Sequence, residues 1–162
     1  MLILPTPAAF HDHVGARLGP TEWRTIPQPE IDAFASLTGD DHWIHVDTER
    51  AAREAPGGRT IVHGLSVLSL IPAWQRSLFR IERRGAGLSY GYDRVRFIAP
   101  IMVDAPIRLF QTVSAAEAHR MGTRVSLTST IEVDAPGTTA IVAEAILVIG
   151  SAPEPDSSAH RG

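Results

Sequence analysis

The sequence predicts an α+β domain in which an antiparallel sheet wraps around one buried central helix. Three observations carry that prediction. The stretch 61–79, "IVHGLSVLSLIPAWQRSLF", is apolar on nearly every helical face, as a helix enclosed by other elements would be. From Leu88 onward the hydrophobic period changes from helical to strand-like, and four strand-length segments follow one another. The chain has 162 residues, 44% of them hydrophobic, which is enough for a real core and short for two domains. One domain over 1–150 is therefore expected, followed by a small, polar, Pro-containing tail, 151–162, read as disordered.

The elements can be justified in order. A short strand is expected at Trp23–Ile26, then a helix opening at Gln28-Pro29-Glu30, with Pro29 in the first turn. Ile31, Phe34 and Leu37 repeat at three-residue intervals as one buried stripe, and Gly39 stops the helix. Asp47 caps a second helix over "DTERAAREA", which "PGGRT" ends. Pro72 is expected to kink the central helix or mark its first turn. The strands are "LSYGYDRVRFIAP", "APIRLFQTVSAAEA", "TRVSLTSTIEVD" and "TTAIVAEAILVIG", with "DAPGTT" as a hairpin turn between the last two. In the third, Val125, Leu127, Ser129 and Ile131 alternate with Ser126, Thr128, Thr130 and Glu132, the pattern of a half-buried strand.

Composition narrows the function classes. A net charge of -3 and a pI near 6.1 give no general attraction to nucleic acid or an anionic membrane. No Cys is present, which removes disulfide and thiolate chemistry, and an intracellular, cytoplasmic protein is the simplest expectation. "MLILPTPAAF" makes a poor signal peptide, and no apolar run is long enough to span a bilayer.

Chemistry concentrates in "LTGDDHWIHVD", residues 37–47. Asp40 and His45 would diverge by about 140° on a helix and face opposite ways on a strand, so they converge only on a folded-back loop. A carboxylate and an imidazole so placed hold one water between them and can add or remove its elements. Taken alone, Asp40 also reads as an ordinary turn residue and His45 as a hydrogen-bonded structural histidine.

"FASLTGDDHWIHVD" resembles the hydratase-2 signature of the MaoC-like family, an aromatic residue and a spacer followed by Gly-Asp-x-Asn-Pro-aliphatic-His. Phe34, Gly39, Asp40, Ile44 and His45 fall on it. "IVHGLSVLSL" is similar to the family's His-Gly at the start of the central helix, and "YDRVRFIAPI" to its third landmark strand. His42 and Trp43 replace the family's Asn and Pro, in a "WIHVD" form that resembles the nodulation-protein-N-like branch. His42 is then expected to take over the bracing of the loop.

The resemblance implies a single hot-dog fold and (R)-specific hydration of a trans-2-enoyl-CoA to a (R)-3-hydroxyacyl-CoA, or the reverse dehydration. Asp40 and His45 would grip the catalytic water; spacing leaves open which is base and which is acid, with Asp40 as base and His45 as acid in hydration the favoured order, and the Gly64 backbone N–H would face the thioester carbonyl as the oxyanion donor. No metal or cofactor is called for, since the thioester already activates the alkene; "HDH" at 11–13 offers two His without further ligands. His63 and Trp43 are candidate substrate contacts, His63 otherwise positioning the loop and Trp43 otherwise core. Arg84, in "RIERRG", either solvates the end of the central helix or meets the phosphates of coenzyme A. A homodimer is implied, supported in the sequence by the long apolar final strands, which would make an exposed edge in a monomer. Three competing readings stay open: a thioesterase, a dehydratase of carrier-protein-bound intermediates, and a non-catalytic acyl-CoA binder.

Overall fold

A computed structural model describes residues 1–153 apart from 135–136. The expected tail, except 151–153, and the middle of the "DAPGTT" turn lie outside the described residues.

The chain runs β1 (Leu2–Leu4), β2 (Arg17–Leu18), α1 (Gln28–Thr38), α2 (Trp43–Val46), α3 (Thr48–Glu54), α4 (Gly64–Ser69), α5 (Ile71–Leu78), β3 (Phe79–Ile81), β4 (Gly87–Phe97), β5 (Ile107–His119), β6 (Gly122–Val133) and β7 (Thr138–Ile149). Five strands form an antiparallel sheet in the order β2-β5-β6-β7-β4, and β1 pairs in parallel with β3 in a small separate ribbon. The expected hot-dog architecture is present: Val67, Leu68, Ile71 and Leu78 of α4 and α5 share one core with Leu109, Val113, Leu127, Ile131 and Ile141 of the sheet. On β6 the predicted alternation holds residue by residue, with Val125, Leu127, Ser129 and Ile131 all fully buried.

Four expectations are corrected. Trp23–Ile26 is not a strand. Pro20 and Pro27 bracket it and lack the N–H of a ladder, and only Arg24 bridges to Ile107, with Thr21 N–H donating to the Leu109 carbonyl. The α1 stripe is Ile31 and Ala35 with half-buried Phe34, while Leu37 is 84% exposed. Three-residue steps lag a 3.6-residue helix by about 60° each, so the third member has rotated out of contact.

The central helix is two helices, α4 and α5, meeting at Leu70 with Pro72 in the first turn of α5. It is not enclosed on all sides, because Leu65 is 62% exposed and Ala73 is exposed. Nor is the final strand an edge: β7 lies between β6 and β4, and the strands at the two ends of the sheet are β2 and β4. No residue of β4 is fully buried, and Leu88, Tyr90 and Phe97 stand exposed along it.

Candidate active site

The loop between α1 and α2 is built by its own residues. Gly39 ends α1 in the left-handed conformation, φ 79°, with its N–H donating to the Ala35 carbonyl. That reversal turns Asp40 back toward the start of α4. The expected irregular loop is short, because residues 43–46 form the single turn α2. His42 caps that turn, its Nδ1 accepting from the Ile44 N–H at 3.5 Å, a bracing role in line with the sequence expectation. Asp47 caps α3 as expected, accepting from the Arg50 N–H at 2.9 Å.

Asp40, His45 and His63 converge, with one side-chain polar atom of each lying within 4.8 Å of the others. A water making two hydrogen bonds of about 2.8 Å spans a gap of about that size. His45 Nδ1 lies 2.7 Å from the Ile61 carbonyl. A carbonyl can only accept, so Nδ1 carries the proton and Nε2 presents a lone pair when the ring is neutral. Burial lowers the His45 pKa below its ordinary 6.5; the Ile61 carbonyl opposes that shift, His63 adds to it, Asp40 opposes it and His42 adds to it. At neutral pH His45 is therefore a proton acceptor at Nε2.

His63 is 2% exposed, and its ring stacks on His45 at a centroid separation of 3.8 Å and 25° between planes. Its Nε2 lies 2.9 Å from the Asp40 backbone carbonyl and 4.0 Å from the Asp40 carboxylate. The shorter contact is the hydrogen bond, so His63 holds the backbone of Asp40 and leaves the exposed carboxylate free to turn. Its Nδ1 is buried without a partner among the described residues. His45 and His63 each spend one ring nitrogen on a backbone carbonyl, an arrangement common to hydrogen-bonded histidine clusters and to metal-ligating histidines. Elsewhere among the described residues, His11 and His13 have no third ligand in reach.

Gln28 is a brace that sequence reading missed. Its Nε2 donates to the His45 carbonyl at 2.8 Å and to Asp32 at 2.7 Å, while its Oε1 accepts from Thr60 Oγ1 at 2.5 Å. One side chain thus links the start of α1, the end of α2 and the segment before α4. Its position at the mouth of a helix carried no signal beyond the helix start itself.

Gly64 opens α4, so its N–H has no intrahelical partner. A Cβ at that position would sit 2.5 Å from two ring carbons of Phe97, so only glycine lets the end of β4 lie against the helix start. Phe97 is also absent from the sequence expectations as a site residue, although "YDRVRF" contained it. Asp40, His45, His63, Gly64, Phe97 and Ile141 line one cavity of about 320 Å³.

The other two candidates lie elsewhere. Trp43 stacks under the Arg50 guanidinium, 4.3 Å from the ring centre, and does not line the cavity. Arg84 stands at the far end of the central helix, in a different groove of about 560 Å³.

The MaoC like domain model matches residues 9–135 of the chain. The chain is 38% identical over 134 residues to the 3-hydroxyacyl-thioester dehydratase Z of Mycobacterium tuberculosis, covering 82% of this chain and 88% of that protein. It is 39% identical over 140 residues to Nodulation protein N of Rhizobium leguminosarum bv. viciae, covering 84% and 86%. Among solved structures, the unliganded R-hydratase PhaJ1 from Pseudomonas aeruginosa superposes with a TM-score of 0.68 at 21% identity, over 85% of this chain and 82% of that one. An (R)-hydratase from A. caviae involved in PHA biosynthesis superposes with a TM-score of 0.65 at 24% identity, over 86% and 96%. These superpositions speak to the fold.

Proposed function

The chain belongs to the MaoC-like domain family, and from that premise we propose that it hydrates trans-2-enoyl thioesters to (R)-3-hydroxyacyl thioesters, or catalyses the reverse dehydration. The observation that carries the reading is the meeting of Asp40, His45 and the start of α4 in one cavity.

In the hydration direction, His45 Nε2 and the Asp40 carboxylate accept the two protons of a bridging water in hydrogen bonds. As the water oxygen bonds to C3, one O–H breaks and its proton passes to His45 Nε2. The alkene electrons move onto the thioester, forming an enolate that the Gly64 N–H faces. The imidazolium then returns its proton to C2, so water has been added and both side chains are restored. His45 thus takes the base role that the sequence reading favoured for Asp40 and keeps the acid role, while Asp40 holds the water, because the Nδ1 hydrogen bond and the lowered pKa leave Nε2 as an acceptor. The backbone amide donor contributes on the order of 10²–10³ in rate for such oxyanions.

His63 serves as the positioning residue, tying Asp40 to the residue that opens α4. Coenzyme A or an acyl carrier protein supplies the thioester handle. The protein acts as a homodimer, because β4 presents an open edge with Leu88, Tyr90 and Phe97, flanked by Ile98 and by Leu65 of α4. Equilibrium sedimentation at assay concentration should give twice the 17.5 kDa chain mass; a single monomeric species would remove the dimer.

The deciding experiment follows the enoyl absorbance of crotonyl-CoA in the ultraviolet, with wild type beside Asp40→Asn. Turnover by the wild type that falls by roughly 10²–10⁴ in a variant of unchanged melting temperature supports the assignment. Equal rates in both would remove Asp40 from the chemistry. Tight binding without turnover, on longer acyl and carrier-bound substrates too, would leave the non-catalytic binder.

A further inference from the structure

The groove at the far end of the central helix is lined by arginines and by apolar side chains. Arg76 of α5, Arg80 of β3 and Arg84 line it, all exposed, and no carboxylate does. Among the described residues none of these three guanidiniums lies within 4.0 Å of an acid; other arginines share that state, but these three line one groove together. In a chain of net charge -3, three neighbouring arginines without an acidic partner among the described residues give this groove a positive character.

The floor between them is apolar, made by Phe79, Leu88, Leu147 and Ile149. Gln75, only 7% exposed, lines the same groove, and its Nε2 is itself buried with no hydrogen-bond partner among the described residues. Arg84 is held close to the backbone, its guanidinium 2.8 Å from where a Cβ of Gly87 would stand, so a side chain at 87 would push it aside.

We propose that this groove binds a phosphate ester attached to an apolar segment. Guanidiniums match phosphate oxygens in geometry as well as charge. An apolar guest alone would leave the arginines uncompensated, and a bare anion would leave the floor uncovered. The site is distinct from the Asp40–His45 cavity, since Leu88 and Phe97 lie about 30 Å apart along β4. It stands or falls independently of the hydratase reading. The phosphate has two sources: the nucleotide end of a thioester, or a separate phosphorylated ligand. Antiparallel pairing of two β4 edges would bring the start of one strand beside the end of its partner's, which would set this groove next to the neighbouring cavity.

Calorimetric titration of the full chain with octyl phosphate, inorganic phosphate and coenzyme A tests the proposal. Octyl phosphate should bind roughly tenfold or more tightly than inorganic phosphate, through the apolar floor. The double variant Arg76→Ala/Arg80→Ala and the single Arg84→Ala should each weaken octyl phosphate by roughly tenfold or more, while Asp40→Asn leaves its affinity unchanged. Because all three arginines are exposed, a thermal melt like that of the wild type establishes that the variants are folded.

Coenzyme A competing with octyl phosphate, with a raised KM and unchanged kcat for enoyl-CoA in the arginine variants, would assign the groove to the substrate's nucleotide end. Octyl phosphate binding without competition or a change in KM would assign it to a separate phosphorylated ligand. Affinities equal in wild type and arginine variants, or no binding of octyl phosphate at millimolar concentration, would overturn the proposal. A protein that turned over no thioester would still give a readable titration.

Discussion

The cavity has two walls of different construction. The wall from α1, α2 and the start of α4 is polar and cross-tied: His45 to Ile61, His63 to Asp40, Gln28 to the His45 carbonyl. The wall from β4 and its continuation, Phe97 to Ile101, is apolar, and among the described residues none of its side chains makes a hydrogen bond. The first wall fixes atoms; the second fixes shape. They touch where Phe97 lies against Gly64, so the Gly64 N–H belongs to one wall and is located by the other.

Breaking the polar wall should have the largest effect. His45→Gln keeps much of the volume but cannot cycle a proton, so kcat should fall by roughly 10²–10⁴ with the melting temperature nearly unchanged. A loss of stability equal to the loss of rate would make His45 a structural residue instead.

Breaking the contact between the walls should come next. Gly64→Ala drives a Cβ against the Phe97 ring, which should cost about 1–3 kcal/mol and lower kcat by roughly tenfold to a hundredfold as the donor shifts. Adding Phe97→Ala should restore much of both in a stability and rate measurement on the double variant. If Phe97→Ala relieves nothing, the two walls are not coupled through this contact.

The smallest effect sharpens the comparison through pH. His45 must be neutral to accept a proton, and its pKa is lowered, so the acid limb of kcat/KM should have its midpoint below 6.5. The same shift sets the sign for stability. Below 6.5 the unfolded chain binds a proton at this residue that the folded chain resists, so the contribution is present above 6.5 and is lost on acidification. His63→Gln removes a neighbour that lowers the pKa and should move the kinetic midpoint upward. A midpoint above 6.5 in the wild type would contradict the neutral Nε2 acceptor.

The polar wall was largely legible in the sequence and the apolar wall largely was not. Asp40 and His45 stood five residues apart behind a helix-stopping Gly, and Gly39 does turn the chain back. His63 was visible only as half of a His-Gly pair; its stack on His45 joins residues 18 positions apart, which no local period encodes. Phe97 looked like one more strand residue, since its role depends on which helix start faces it. The strands of the meander were readable because inside and outside alternate, as on β6. The edge position of β4 was not, because strand order is set by pairing and not by any strand's own pattern. The helix misjudged as enclosed failed for a related reason: a single chain leaves one side of α4 and α5 open, and apolar residues there look the same as core.

The Phe97–Gly64 contact also has a meaning for how the molecule refolds. Phe97 is placed by its register opposite Ile141 on β7, forty-four positions along the chain. The loop with Asp40 and His45 can close early, from nearby residues, but the helix start it serves is located only after that long-range pairing has formed. During refolding from denaturant, helical signal should therefore return before turnover does, with the last strand to dock setting the moment at which the protein becomes a catalyst.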